Sequence, residues 1–183
     1  MASLTESQIK LLVISSAIKM RPRFVVTEVA FSGYRARADI LIGFGRLIGV
    51  EVKTFNDRFD RLPAQMARYL SSFHASYVAY PVEARKKIPE GLSKRVGLIE
   101  VRGRTCHIVR KARIRKHVRP EGLKYLVPGR VRDDWTEKEL LSAIESRFRK
   151  NYRAYRSSLG SVPVEEDLKL LGMRRTEVVM RLT

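Results

Sequence analysis

The sequence predicts an α/β domain, a mixed central β-sheet flanked by helices, followed by a basic, mainly helical C-terminal region. Three observations carry this. Between Phe24 and Val109, short β-branched runs are separated by turn residues, the pattern of strands. Apolar residues recur at helical spacing at Ile9, Leu12, Val13 and Ala17, and again through Leu62, Met66, Leu70 and Phe73. A third helical pattern, Asp134 to Arg156, becomes basic in its second half. The boundary is placed at residues 1–125 for the core and 126–183 for the C-terminal region, and the 44% hydrophobic content suits one packed domain with an appendage.

The first helix begins at Thr5-Glu-Ser-Gln-Ile, with Ser3 or Thr5 as its cap. Glu6 falls in the first turn, where a carboxylate complements the helix N-terminus. Phe24 to Phe31 reads as a strand with Glu28 at its centre, ended by the turn Ser32-Gly33-Tyr34. Arg35 and Arg37 flank the hairpin that follows, either in solvent or against phosphate.

That hairpin runs from Ala36 to Thr54 and turns at Gly43-Phe44-Gly45-Arg46. Strand side chains alternate faces, so Glu51 and Lys53 point one way while Val50 and Val52 point into a core. Folding back brings Asp39 beside Glu51. Two carboxylates and an ammonium then share one sheet face. Close carboxylates repel unless a cation separates them, and hard divalent cations prefer oxygen ligands. The lysine supplies a compact charge for a water or a phosphoryl oxygen. A cross-strand salt bridge is the plain alternative, but two charges inside an apolar strand are costly unless they pair or work.

Thr54 to Asp60 is a loop in which Asp57 and Asp60 read as capping or arginine-pairing residues. Pro63 suits the first turn of the next helix. Gln65 and Tyr69, four apart, share a face distinct from its apolar stripe. Ala75 to Tyr80 reads as a strand reached by a crossover, hence a mixed sheet. Val82 to Gly91 is a polar loop or short helix, and Val96–Val101 and Thr105–Val109 form a hairpin around Arg102-Gly103-Arg104. In the last long helix, Trp135, Leu140, Ile144, Phe148 and Tyr152 share one face, with Tyr152 and Tyr155 interleaved among basic residues where bases could stack. Ser157 to Val162 breaks that helix, and Val164 to Arg175 reads as another. His74, His107 and His117 lack metal-ligand spacing and read as structural or surface residues.

The hairpin motif, Asp39-x(11)-Glu51-x-Lys53, lies between two helices and resembles the PD-(D/E)xK nuclease superfamily, the restriction-endonuclease-like fold. Gly-Val-Glu51-Val-Lys53 matches the family's motif strand, while Ala38 stands where proline usually precedes the aspartate. The segment Asp60 to Tyr69 is similar to the helix after that strand, and Arg37-Ala-Asp39-Ile with Asp60-Arg-Leu-Pro63 resembles small nucleases of phages and mobile elements. The likeness spans roughly Thr5 to Val101. It implies a metal-dependent nuclease acting on DNA, with Mg²⁺ or Mn²⁺ on Asp39 and Glu51, joined by the Val52 carbonyl and Glu28, and Lys53 positioning or activating the attacking water. It further implies help from Glu28 and Gln65, with Glu6 and Tyr69 peripheral.

The net charge is +18, which points to a polyanion partner. Residues 1–80 carry 11 Lys+Arg against 6 Asp+Glu, a net +5, and residues 81–183 a net +13. Six basic residues lie between Arg110 and Arg119, with Arg104 just upstream. Arg113, Arg115, Lys116, Arg149 and Arg153 are the expected phosphate contacts, alongside Arg35, Arg37 and Tyr69. A non-catalytic DNA- or RNA-binding protein is the competing expectation, and a homodimer is open. One cysteine, Cys106, excludes an internal disulfide. No run approaches a membrane span and no signal peptide is read, so the expected setting is the cytoplasm.

Overall fold

The computed structural model describes residues 3–33, 35–127, 129, 131–158 and 165–172. Helix α1 (Glu6–Ile18) starts with a capping box: Gln8 N–H donates to Thr5 Oγ1 while Thr5 N–H donates to the Gln8 side chain. Its buried arc is Ile9, Lys10, Val13, Ile14 and Ala17, so a lysine faces inward and Leu12 is only partly covered.

Six strands follow: β1 (Phe24–Phe31), β2 (Ala36–Gly43), β3 (Leu47–Val52), β4 (Ala75–Pro81), β5 (Gly97–Arg102) and β6 (Thr105–Arg110). They lie in one sheet in chain order. β1–β2, β2–β3 and β5–β6 pair antiparallel; β3–β4 and β4–β5 pair parallel. The sheet is therefore mixed, as the crossover reading required. That crossover is α2 (Leu62–Ser72), with Pro63 in its first turn. Its buried residues are Leu62, Met66, Tyr69 and Ser72, whereas Leu70 is only partly covered. Tyr69, Phe73 and Phe31 form an edge-packed aromatic cluster beneath β3.

The basic segment after β6 is a strap without regular structure. Arg113 N–H donates to Arg95 O, and Arg115 N–H to His74 O. It leads through the short α3 (Pro120–Leu123) to α4 (Glu137–Ser158). The long helix starts at Glu137 and not at Asp134 because Thr136 and Glu139 form a second capping box. Asp134 instead pairs with Arg132. The helix continues through Ser158. The next helix, α5 (Asp167–Leu171), is shorter than its sequence pattern; Val164 and residues 173–175 lie outside the described residues.

Leu140, Ile144, Phe148, Tyr152 and Tyr155 fix α4 onto the core, with Phe148 against Phe24 of β1. Tyr152 and Tyr155 are both buried and stack on each other, so neither is available to nucleic-acid bases. His74 locks strap, sheet and helix together. Leu47 N–H donates to its Nδ1, so Nε2 carries the proton and donates to Glu137 Oε1 at 2.9 Å. Burial lowers the His74 pKa and keeps the ring neutral. Glu137 also accepts from Val118 N–H and from His117. Among the described residues no helix is long and apolar enough to cross a membrane.

Gly49 sits where β3 passes under α2. A Cβ there would lie 2.4 Å from Phe73 Cδ2 and 2.9 Å from Tyr69 Cδ1, against rings with nowhere to retreat. Gly49→Ala is expected to lower stability by about 1–3 kcal/mol through overpacking, read as a reduced urea midpoint at unchanged slope.

Candidate functional site

The β2–β3 register pairs Ile40 with Val50, which sets Asp39 opposite Glu51. Asp39 Oδ2 accepts the Val52 N–H at 2.7 Å. The visible contribution of Val52 is thus its N–H. Glu51 is held on both oxygens: Lys53 Nζ lies 2.9 Å from Oε1, and the Tyr69 hydroxyl donates to Oε2 at 2.7 Å. Lys53 is only 8% exposed. Burial, then the charge of Glu51, pushes the Tyr69 hydroxyl well above its ordinary pKa, so it remains a donor. Tyr69 is 2% exposed; it orients Glu51 and does not present a surface to nucleic acid.

These groups open on a cleft of ≈ 370 Å³ that Arg35, Arg37, Arg68 and Gln65 also line. Gln65 Oε1 is buried and has no hydrogen-bond partner among the described residues. Gln65 lines the cleft, and rotation of its amide would bring this unpaired acceptor to a water or a ligand proton. Asp57 lines the cleft too, but its carboxylate accepts from Thr54 N–H and Oγ1 and caps the loop. Asp60 pairs with Arg58. Both fit the capping and pairing roles read from the sequence.

Glu28 joins from β1 through an unusual backbone. Its φ is +57° in mid-strand, a left-handed conformation that L residues rarely adopt. Thr27 and Val29 pair with Ile40 and Ala38 on either side of it. Its carboxylate meets Lys10 Nζ on one oxygen and Arg37 Nε at 2.7 Å on the other. Strain of this kind costs of order 1–3 kcal/mol and clusters at functional sites.

Lys10 is the residue that the sequence reading missed. Its ammonium contacts Glu6 and Glu28 and lies 3.8 Å from Asp39 Oδ1. Its signal was its place on the buried arc with Ile9 and Val13, four residues after Glu6. Burial draws its pKa down, but the hydrogen bonds to Glu28 and Glu6 outweigh this and hold it above the ordinary lysine value. Glu6, Glu28 and Asp39 each offer an oxygen within 4.8 Å of the others. An all-oxygen, carboxylate-rich donor set already holding a cation suits a hard metal ion.

The expected phosphate contacts divide. Arg35, Arg37, Arg113, Lys116 and Arg153 are exposed, and Arg149 is half-exposed beside Glu145. Arg115 is different: its Nη1 donates to Leu70 O, tying the strap to α2. Removing it would loosen the fold as well as the surface charge.

Burial, then the nearby charge of Glu51, raises the Asp39 pKa to about 7. Protonation is thus easier in the folded state than in the unfolded one, where the ordinary value is 3.8. The associated stability is complete below the unfolded pKa and is lost as pH rises through about 7. Asparagine mimics the protonated form and keeps the acceptor for Val52. In chelator, Asp39→Asn is expected to melt above wild type at pH 8, with the gap closing as pH falls from 7 toward 4. An equal gap at every pH would contradict it.

Comparison with known proteins adds a family and a fold. Nothing among the curated proteins matches. A solved protein of unknown function from Silicibacter pomeroyi shares 21% identity and a TM-score of 0.51, over 86% of this chain and 97% of that one, a likeness of fold alone. The family model described as bacteriophage P4 protein cII matches residues 1–127, which hold all six strands and α1 to α3. On that match, the chain belongs to the bacteriophage P4 protein cII family.

Proposed function

We propose that this protein is a divalent-metal-dependent nuclease that hydrolyses DNA phosphodiester bonds. The observation that carries the reading is the convergence of Asp39, Glu51 and Lys53 on one cleft whose remaining acceptor, Gln65 Oε1, has no protein partner among the described residues. The hairpin followed by a helical crossover is the arrangement that the PD-(D/E)xK resemblance implies, and a phage family agrees with its mobile-element side.

Asp39 and Glu51 would hold Mg²⁺ or Mn²⁺, with the Val52 carbonyl as a supporting oxygen; Glu28, engaged by Lys10 and Arg37, would support the centre from behind Asp39. The ion would supply Lewis-acid charge to the phosphodiester and lower the pKa of a water. The protein's own groups do the rest. Lys53, fixed by Glu51, donates to the attacking water or to a phosphoryl oxygen. Gln65 Oε1 accepts a hydrogen bond from that water and orients it. Arg35, Arg37 and Arg68 meet the phosphate charge at the cleft. Water oxygen bonds to phosphorus, the ester P–O bond breaks, and a proton passes to the leaving oxygen.

Affinity comes from elsewhere on the surface. Arg23, Arg149, Lys150 and Arg153 line a hollow of ≈ 600 Å³ beside α4. Arg113 and Lys116 extend the positive surface along the strap. Phosphate contacts of this kind carry no sequence information.

Lys53→Ala and Asp39→Ala are each expected to reduce Mg²⁺- or Mn²⁺-dependent cleavage of duplex or single-stranded DNA by at least about 10²-fold, with DNA binding retained. Wild-type cleavage in either variant would sink the assignment. Binding without cleavage in the wild type, with any metal and with DNA or RNA, would favour the non-catalytic alternative.

Replacing Arg113, Lys116, Arg149 and Arg153 together with Gln should weaken binding alike for unrelated sequences. It should also flatten its log–log salt dependence by several units, at about 0.9 for each duplex phosphate that is no longer neutralised. An unchanged slope would move the binding surface to Arg35, Arg37 and Arg68.

A further inference from the structure

Lys10 is 6% exposed, and its ammonium is surrounded by Glu6 on its own helix, Glu28 on β1 and Asp39 on β2. Those three carboxylates are grouped as ligands of one hard cation would be. The cation at their centre is a side chain. Glu28 reaches it only through a left-handed backbone, and Arg37 pins the other Glu28 oxygen. Glu51, held by Lys53 and Tyr69, stands outside this triad. Asp39 therefore stands between two sides: the Lys10 side, where the fold itself supplies the cation, and the Glu51 side, which opens on the cleft.

We propose that the Lys10 ammonium takes the place of a second divalent cation, so that the centre works with one metal ion. This rests on reading the cleft as a metal-dependent centre. The charges agree with it. Glu6, Glu28, Asp39 and Glu51 pair with Lys10, Arg37 and Lys53, an excess of one negative charge among the paired groups when all are ionised, and Arg35 and Arg68 with Asp57 on the cleft wall bring the sum to zero. One divalent ion already gives the cleft the positive charge that a phosphodiester needs. A second divalent ion beside the buried Lys10 ammonium would leave a large uncompensated positive charge there. A tethered ammonium also needs no free ion to fill its position, so only the Asp39–Glu51 side responds to metal concentration.

The test counts metal ions without DNA or turnover. Metal-free full-length protein is titrated with Mn²⁺ at pH 8 by calorimetry, with free Mn²⁺ followed by electron paramagnetic resonance. Wild type and Lys10→Arg are expected to take one Mn²⁺ per chain, and Lys10→Gln two. One ion in a folded Lys10→Gln would overturn the inference while leaving the nuclease reading intact. Failure of wild type to bind Mn²⁺ would overturn both.

Glu6→Gln gives a second route, because Glu6 is half-exposed and its loss does not threaten folding. If Glu6 serves the lysine, the single Mn²⁺ remains with affinity within about threefold, the range of a solvent-screened charge. A loss of about tenfold or more, as for a group that supports the ion directly, would place the ion on the Glu6 side and overturn the inference.

Discussion

Asp39 accepts a backbone hydrogen bond from Val52 across the β2–β3 hairpin, and most of the cleft depends on it. The bond fixes one carboxylate oxygen at the register where Glu51 and Lys53 emerge from the neighbouring strand. The other oxygen is left facing Lys10 and Glu28. A one-residue slip of the hairpin would send Glu51 and Lys53 to the opposite face. The register is protected because Ile40 and Val50 are buried on that opposite face, and because Gly43 and Gly49 sit against Phe24 and Phe73 with no room for a Cβ. Apolar packing thereby holds a charged arrangement that would not assemble by its own electrostatics.

The cleft works against local stability in three ways. Glu28 sits in a strained backbone, Asp39 ionises reluctantly, and Gln65 Oε1 is buried without a partner among the described residues. Each is unfavourable alone; Asp39 and Gln65 line one cleft, and Glu28 meets Lys10 behind Asp39. Buried titratable groups away from the cleft are better served. His74 and Glu137 bond reciprocally with the backbone of β3 and of the strap, and buried Glu100 is paired by Arg85 and Arg102. A strained backbone, a reluctantly ionised carboxylate and an orphaned acceptor around Asp39 are what a functional site leaves in a structure.

The hairpin was legible in the sequence because period-two alternation and a glycine turn fix which residues oppose each other. The α2 face was legible in part: Gln65 and Tyr69 are four apart and both line the cleft, but Tyr69 packs in the buried stripe with Leu62 and Met66 and not on a separate face. Contacts between distant elements were not legible. The place of Lys10 beside Ile9 and Val13 hints at burial, but its carboxylate partners on β1 and β2 emerge only when α1 is laid against them. Arg115 reads as one more surface charge until its bond to Leu70 O is seen. Tyr152 and Tyr155 sit among arginines in the sequence, yet α4 turns them into the core while the arginines face outward. Charge density along a chain tells how basic a segment is, and only packing tells which side chains remain to meet a phosphate.

If the cleft between Asp39 and Glu51 is a cation site built for phosphodiester chemistry, anomalous diffraction from crystals soaked in Mn²⁺ will show one peak per chain, in coordination contact with Asp39 and Glu51, with Lys10 still lodged between Glu6 and Glu28. A cleft without a peak at saturating Mn²⁺, or a peak that displaces Lys10 and leaves Glu51 on Lys53 and Tyr69 alone, would contradict it.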